Sequence, residues 1–236
     1  RIPMPSTLGV YLDQWLERQR RIVAPQTHAG YRQRLETHVL FVYPVLMKRL
    51  VRDHFDRLYN DLAGEGLAPN TIRQVHAVIH KALADAVRDG LIPGNPAHGA
   101  LVPRPERRPP FMVSQEQAER VMGAAKDAGL YSLVYFAIMT GVRQGEQLAL
   151  RWSDVDLDNG VALISRSLAG TTKSGRARAI ALSPSVVRGL RQEARWGGAD
   201  GSSDGHVFPD PNGVPWMPQT LLRRFHAALV RAGLPK

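Results

Sequence analysis

The residues best suited to chemistry stand in one short stretch, Thr140 to Glu146, reading TGVRQGE. Arg143 sits where an apolar run gives way to polar residues, and Glu146 follows three positions later. A guanidinium is a planar, permanently charged fork that binds phosphate and carboxylate oxygens through paired hydrogen bonds no point charge can match. At this separation on a helix, Glu146 reaches Arg143 and either orients it or braces the helix start. The pair taken alone also fits an ordinary helix-start ion pair. Further along, Lys173 lies beside Ser174 and Gly175 in the turn-rich run TTKSGR, with Arg176 and Arg178 next to it. These two arginines fit phosphate contacts or plain surface better than catalysis. His76 and His80 are one helical turn apart, but no third ligand stands near them, so a DNA-facing or core role fits better than a metal site. There is no Cys, which excludes disulfides and thiolate metal sites.

Two sets of elements must position these residues. From Leu8 to Arg20, Leu8, Tyr11, Leu12, Trp15 and Leu16 recur at helical spacing, which predicts an amphipathic helix. After Pro25, Thr27 is placed to cap a second helix, with Tyr31, Leu35 and Val39 inward and Arg32 and Arg34 outward. A third helix is expected over 52–63 with Phe55, Leu58, Tyr59 and Leu62 inward, ended by Gly64 and Gly66. Pro69, Asn70 and Thr71 start a fourth, whose inner face is Ile72, Val75, Ile79, Leu83 and Val87. Residues 1–98 therefore read as an all-helical bundle. Residues 99–113 open with GALVPRPERRPP, whose four prolines and three arginines predict a stiff, basic linker. A second domain, 114–236, begins with a capping box of Ser114 and Gln117, then a helix, then the apolar helix Leu130 to Met139. Beyond TGVRQGE the period falls to two. VALIS (161–165) and ARAIALS (177–183) predict two strands of a hairpin or small sheet. Ser183 and Pro184 open a further helix, and a short strand near Val207, an Asn212-Gly213 turn and a helix from Pro218 to Ala232 close the chain. The four tryptophans, Trp15, Trp152, Trp196 and Trp216, are most simply packing residues.

Composition narrows the partner. The chain has 236 residues, 44% hydrophobic and 22% charged, as in ordinary globular proteins. Its 31 Lys and Arg against 21 Asp and Glu give a net charge of +10, a field that favours a polyanion, nucleic acid first. The excess is +4 before residue 99, +2 in the linker and +4 after it, as expected if all three follow one duplex. No apolar run approaches the ~18 residues of a membrane span, and Arg1 to Ser6 is no signal peptide, so an intracellular, cytoplasmic, DNA-associated protein is expected.

The series Gly-x-Arg-x-x-Glu after an apolar helix, then LRWSDVDLDNG with Leu148, Leu150, Trp152, Asp154 and Asp156, then TKSGRARAIAL, resembles the first half of the catalytic domain of the tyrosine recombinase (phage integrase) family. The helical first domain and basic linker resemble that family's core-binding (SAM-like) domain. The implied fold is mainly α with a small antiparallel β-sheet: a helical core-binding domain followed by a mixed α/β catalytic domain. The implied activity is site-specific DNA recombination, in which a tyrosine hydroxyl attacks a phosphodiester, forms a phosphotyrosyl bond and is displaced by a DNA 5′-hydroxyl. Arg143 then matches the first of two catalytic arginines, which stabilise charge on the phosphoryl oxygens, with Glu146 in support. Lys173 matches the catalytic lysine that protonates the leaving 5′-oxygen. Arg176 and Arg178 become candidate phosphate contacts. Thr27, Arg32, Arg34, Asn70, Thr71, Arg73, Gln74, His76 and Lys81 fall on the two helices that enter the major groove. The partner is double-stranded DNA, held between the two domains, and no cofactor is required. Intact members form tetramers on two DNA sites, and this chain without DNA is expected as a monomer.

Two departures stand out. The family's His-x-x-Arg motif, its further His or Trp and its late nucleophilic Tyr have no counterpart here: Tyr11, Tyr31, Tyr43, Tyr59, Tyr131 and Tyr135 all precede Arg143. The expectation is a chain cut short at Lys236 that binds DNA without cleaving it. LFVYPVLMKRL (40–50) also lacks the glycine of the family's Pro-x-x-Gly turn. A recombinase-derived DNA-binding or regulatory protein is the alternative, and a helical scaffold for acidic proteins a third reading.

Overall fold

The computed structural model describes residues 6–106, 114–168, 170–171, 175–196 and 204–234. The chain divides between Pro109 and Pro110 into two compact units. As the sequence predicts, it is mainly helical with a small antiparallel sheet.

The first unit holds four helices: α1 (Leu8–Gln19), α2 (Pro25–His38), α3 (Arg52–Gly64) and α4 (Pro69–Arg88). Their expected apolar faces meet in one core, in which Tyr11, Trp15, Phe55, Tyr59, Ile72, Ile79 and Leu83 are fully buried. The polar tips of the buried aromatics are satisfied. Tyr11 donates its hydroxyl to Ala82 O at 2.6 Å, and Trp15 Nε1 donates to Asp85 Oδ2 at 2.8 Å. Burial pushes the Tyr11 hydroxyl up to about 12.

The start of α2 differs from expectation. Pro25 occupies the first helical turn and Ala24 precedes it without a side-chain cap, so Thr27 lies inside the helix rather than at its mouth. Proline there needs no amide partner and has its φ preset, which starts the helix upstream of the hydroxyl. Between α2 and α3 the glycine-less stretch forms two short 3-10 turns, Leu40–Val42 and Met47–Arg49, with Val42 and Met47 buried. The Pro-rich segment is anchored at its beginning. Ala100 and Val102 pack on the helical core, and Leu101 N donates to Asp56 Oδ1 at 2.7 Å.

The second unit opens with α5 (Gln115–Asp127), capped as predicted by Ser114 and Gln117 bonding each other's backbone amides. It continues with α6 (Tyr131–Thr140) and α7 (Gln144–Leu148). Five short strands follow: β1 (Val155–Asp156), β2 (Val161–Ile164), β3 (Arg166–Ser167), β4 (Gly170–Thr171) and β5 (Arg178–Ala181). Strands β1, β2 and β5 form an antiparallel sheet in the order β1-β2-β5, with Ile164 opposite Arg178, while β3 and β4 form a separate ribbon. Helices α8 (Pro184–Trp196) and α9 (Pro218–Arg231) complete the unit. Near Val207 the expected strand is a single bridge, Arg151 with His206, extended by Val207 N donating to Leu150 O.

Phe136, Ile164, Leu190 and Val207 centre one core of this unit, and Ala124, Leu148, Trp216 and Leu229 another. Leu133 of α6 packs against both. Two arginines tie α5 to α9 reciprocally. Arg120 donates to Ala232 O at the end of α9, and Arg224 donates to Ala128 O at the end of α5. Cations at helix C-termini satisfy carbonyls that have no intrahelical partner. No helix among the described residues is long and apolar enough to cross a membrane.

Candidate functional site

The TGVRQGE segment joins α6 to α7, and its path is fixed atom by atom. Gly141 ends α6 in the left-handed conformation at φ +63°, where a residue with a Cβ is strained. Thr140 Oγ1 donates to Phe136 O at 2.7 Å, and Val142 N donates back to that hydroxyl at 3.4 Å. Arg143 then turns extended, at φ −64° and ψ 143°, and precedes the first turn of α7. Gln147, buried, donates to Leu133 O at 2.6 Å and holds α7 against α6.

Glu146 is the centre of the site. The residue is 2% exposed, yet its carboxylate accepts from two arginines. Arg143 Nη1 reaches Oε1 at 3.3 Å and Arg143 N reaches Oε2 at 3.3 Å. Arg178 of β5 makes the tighter pair, Nη2 to Oε2 at 2.6 Å and Nη1 to Oε1 at 3.2 Å. The hydrogen bond from Arg178 is the first cause holding the Glu146 carboxyl below the usual carboxylate range, against the opposing effect of burial. The Arg143 side chain stays 62% exposed, and that of Arg178 is 38% exposed. Such a site offers a cation, oriented from behind by a buried anion, to an external oxyanion.

The ribbon packs against the same turn. Leu168 N donates to Gly145 O at 2.9 Å, and a Cβ on Gly145 would lie 2.8 Å from Ser167 Oγ. A side chain at 145 would press on the ribbon. Below α7, Asp154 accepts from Arg151 N at 3.1 Å and from Arg166 Nη2 at 3.0 Å, which ties β3 to the turn before β1. Sequence reasoning passed over Asp154, Arg166 and Gln147 as functional supports. Arg151 and Asp154 do show the three-residue spacing of a capping pair.

Of the expected site residues, Arg143, Glu146 and Arg178 come together. Arg178, a candidate phosphate contact by sequence, has its fork engaged by Glu146. Arg176 is exposed on the approach to β5. Lys173, the expected proton donor, lies outside the described residues.

In the first unit, Thr27, Arg32, Asn70, Arg73, Gln74 and Lys81 are exposed on α2 and α4, and Thr71 is half-buried. Arg34 donates to Gly30 O and to Gln74 Oε1, so these two residues link the helices. Arg32 lies 3.9 Å from Glu36, and Lys81 Nζ lies 3.8 Å from Asp85. His76 departs from the outward face assigned to it. Its Nδ1 shares a 3.0 Å hydrogen bond with the Tyr59 hydroxyl, and its ring stands 5.5 Å from that of His80. Burial, and then the charge of His80, lower its pKa below the ordinary value. An imidazole has an apolar body and a polar edge, so helical spacing alone does not tell its side.

The chain is thus a helical unit followed by an α/β unit in which an arginine is held by a buried glutamate after a glycine-capped apolar helix. A model of the Phage integrase family matches residues 112–236, and the chain belongs to that family. It is 28% identical over 175 residues to "Tyrosine recombinase XerC" of Xanthomonas campestris pv. campestris (strain B100), covering 72% of this chain and 52% of that one. It is 27% identical over 172 residues to an "Integrase" of Saccharopolyspora erythraea, covering 70% and 38%. Its fold is similar to that of a lambda integrase dimer bound to a COC′ core site, with a TM-score of 0.81 at 18% identity over 98% of this chain and 65% of that one. The chain spans about half the length of the first of these curated relatives.

Proposed function

We propose that this chain supplies the DNA-binding unit and the first part of the active site of a site-specific DNA recombinase, one that integrates or excises a mobile element. The observation that carries this reading is Arg143, whose exposed guanidinium is held by the buried carboxylate of Glu146 inside a segment matched by the family. As a tyrosine hydroxyl attacks phosphorus, negative charge grows on the non-bridging oxygens, and a pre-oriented guanidinium stabilises it without reorganising. The phosphorus–5′-oxygen bond breaks, Lys173 donates a proton to that oxygen, and a phosphotyrosyl link remains. A 5′-hydroxyl from the partner duplex reverses the step. The bond energy is kept in the covalent link, so the scheme needs no metal or nucleotide. Thr27, Arg32, Arg34, Asn70, Thr71, Arg73, Gln74, His76, Lys81 and Arg176 bind the duplex. In the assembled enzyme four protomers act on two sites, and this chain alone is a monomer without DNA.

A second reading is a recombinase-derived DNA-binding or regulatory protein that does not cleave. In the first unit, burial raises the hydroxyls of Tyr11 and Tyr43 to about 12 and that of Tyr59 further still, which is the wrong direction for a nucleophile. Both readings predict that the 236-residue chain binds duplex DNA with an affinity that falls steeply with salt. Both also predict no covalent adduct on a nicked suicide substrate; an adduct overturns that expectation. The readings part in the protein made from the natural reading frame. If it cleaves, Arg143→Ala abolishes cleavage and leaves affinity within a modest factor. Loss of both together makes Arg143 a structural residue.

A further inference from the structure

The carboxylate of Glu146 is shared unequally. Arg178 meets it with two parallel hydrogen bonds, the shorter at 2.6 Å, whereas the Arg143 side chain meets it with one of 3.3 Å. A fork-to-fork pair is the most directional contact an arginine makes, so Arg178 sets the plane of the carboxylate. Arg143 adjusts to what remains. Among the described residues Glu146 is the only acceptor its guanidinium meets, so the orientation of that group passes through this one link.

The two arginines also come from different layers. Arg143 precedes α7, while Arg178 begins β5, where it stands opposite Ile164 in the sheet. Among the described residues, the hydrogen bonds that link the sheet to Arg143 run by way of Glu146. Gly145 and Leu168 fasten the same turn of α7 to the ribbon from another direction, which keeps the turn from rotating to follow its carboxylate.

We propose that Arg178 is a positioning residue: it acts on Arg143 through Glu146, pre-setting the guanidinium that receives the DNA phosphate, and does not itself contact DNA. This rests on the reading of Arg143 as a phosphate clamp. The charge balance has a direct consequence. Arg178 is the foremost cause keeping Glu146 ionised, and burial opposes it. With Arg178 removed, the Glu146 carboxyl takes up a proton at a higher pH and, once neutral, loses its hold on Arg143.

Two measurements test the proposal. In the 236-residue chain, NMR titration of the glutamate side-chain carboxyl carbons should place Glu146 below the ordinary carboxylate range, and Arg178→Met should move it up. In the protein made from the natural reading frame, cleavage is followed in single turnover at saturating DNA across a pH series. Arg178→Met should slow cleavage by about tenfold to a hundredfold, since small misplacement of a catalytic group costs that much. It should also shift the acid limb to higher pH and leave the salt dependence of binding unchanged. Arg178→Lys, which keeps charge but not the fork, should recover part of the rate. Arg178→Met added to Glu146→Gln should cost little more than Glu146→Gln alone.

The opposite pattern overturns the proposal: a salt slope reduced by about one, weaker binding, and an unchanged pH profile at saturating DNA, as for a phosphate contact. An unmoved Glu146 titration overturns it as well, and Arg178→Lys carries the titration and the rate comparison if Arg178→Met does not fold. Should Arg143→Ala itself cleave normally, the reading of the site fails instead, whatever Arg178 does.

Discussion

Two acidic residues are buried among those described, one in each unit, and they are used in opposite ways. Asp85 of α4 is 7% exposed and accepts from Trp15 Nε1 of α1 at 2.8 Å. Its cations, Lys81 at 3.8 Å and Arg88 at 2.7 Å, belong to its own helix. Glu146 instead draws its cations from two elements and leaves Arg143 largely exposed. Both carboxylates hold exposed cations, Arg88 at 75% and Arg143 at 62% side-chain exposure. What separates them is the inward partner: Asp85 accepts from a buried indole of another helix and so joins pieces of a core, whereas Glu146 accepts only from arginines among the described residues.

The largest expected effect lies on the inward side. Asp85→Ala removes the acceptor of a buried indole and leaves the cations of α4 without their anion. It should lower the unfolding free energy by about 3 kcal/mol, the upper end for leaving a buried donor unsatisfied. Asp85→Asn keeps an oxygen for Trp15 and should cost about 1 kcal/mol. Chemical denaturation of the chain followed by tryptophan fluorescence measures both. Equal losses for the two variants would mean that the charge, and not the indole bond, holds α1 to α4.

A smaller effect is expected where α7 meets the ribbon. Gly145→Ala brings a Cβ to 2.8 Å from Ser167 Oγ and should destabilise by about 1 kcal/mol, the low end for overpacking. The double variant with Ser167→Ala should recover most of it, a coupling that non-neighbours would not show. Simple additivity in thermal unfolding would place the strain elsewhere and detach the ribbon from the positioning of Arg143.

What the sequence made legible follows from how each signal works. Helices α1, α3 and α4 show their inner faces because Leu, Trp, Phe, Tyr and Ile recur every three or four residues, and all of the central ones are buried. The beginning of α2 differs from the pattern because a hydroxyl at Thr27 competes with Pro25, and proline sets the first turn. His76 fits either side because its ring bonds Tyr59 from a half-buried position. Arg143 and Glu146 are near neighbours, so their pairing is a local property that spacing can show. Arg178 lies 32 residues beyond Glu146, past two strands and the ribbon, and a period of two says only which side of the sheet it takes. The same limit hid the ion pair of Arg166 with Asp154. Contacts between distant segments follow from the register of β2 with β5, which no local pattern in either strand fixes.

The smallest stability effect is expected on the face proposed to meet DNA, and it sharpens the contrast most. Arg32 and Glu36 of α2 form a solvent-exposed pair at 3.9 Å, a geometry worth at most about 0.5 kcal/mol. Arg32→Ala should therefore leave unfolding almost unchanged. If Arg32 binds a phosphate, the same variant should weaken duplex binding across sequences and reduce the slope of log affinity against log salt by about one. A residue that matters to binding and not to folding is the reverse of Asp85, which should matter to folding first. Loss of stability without a change of salt slope would put Arg32 on the structural side, and the DNA-facing surface would then have to be sought around Arg73 and Asn70 of α4.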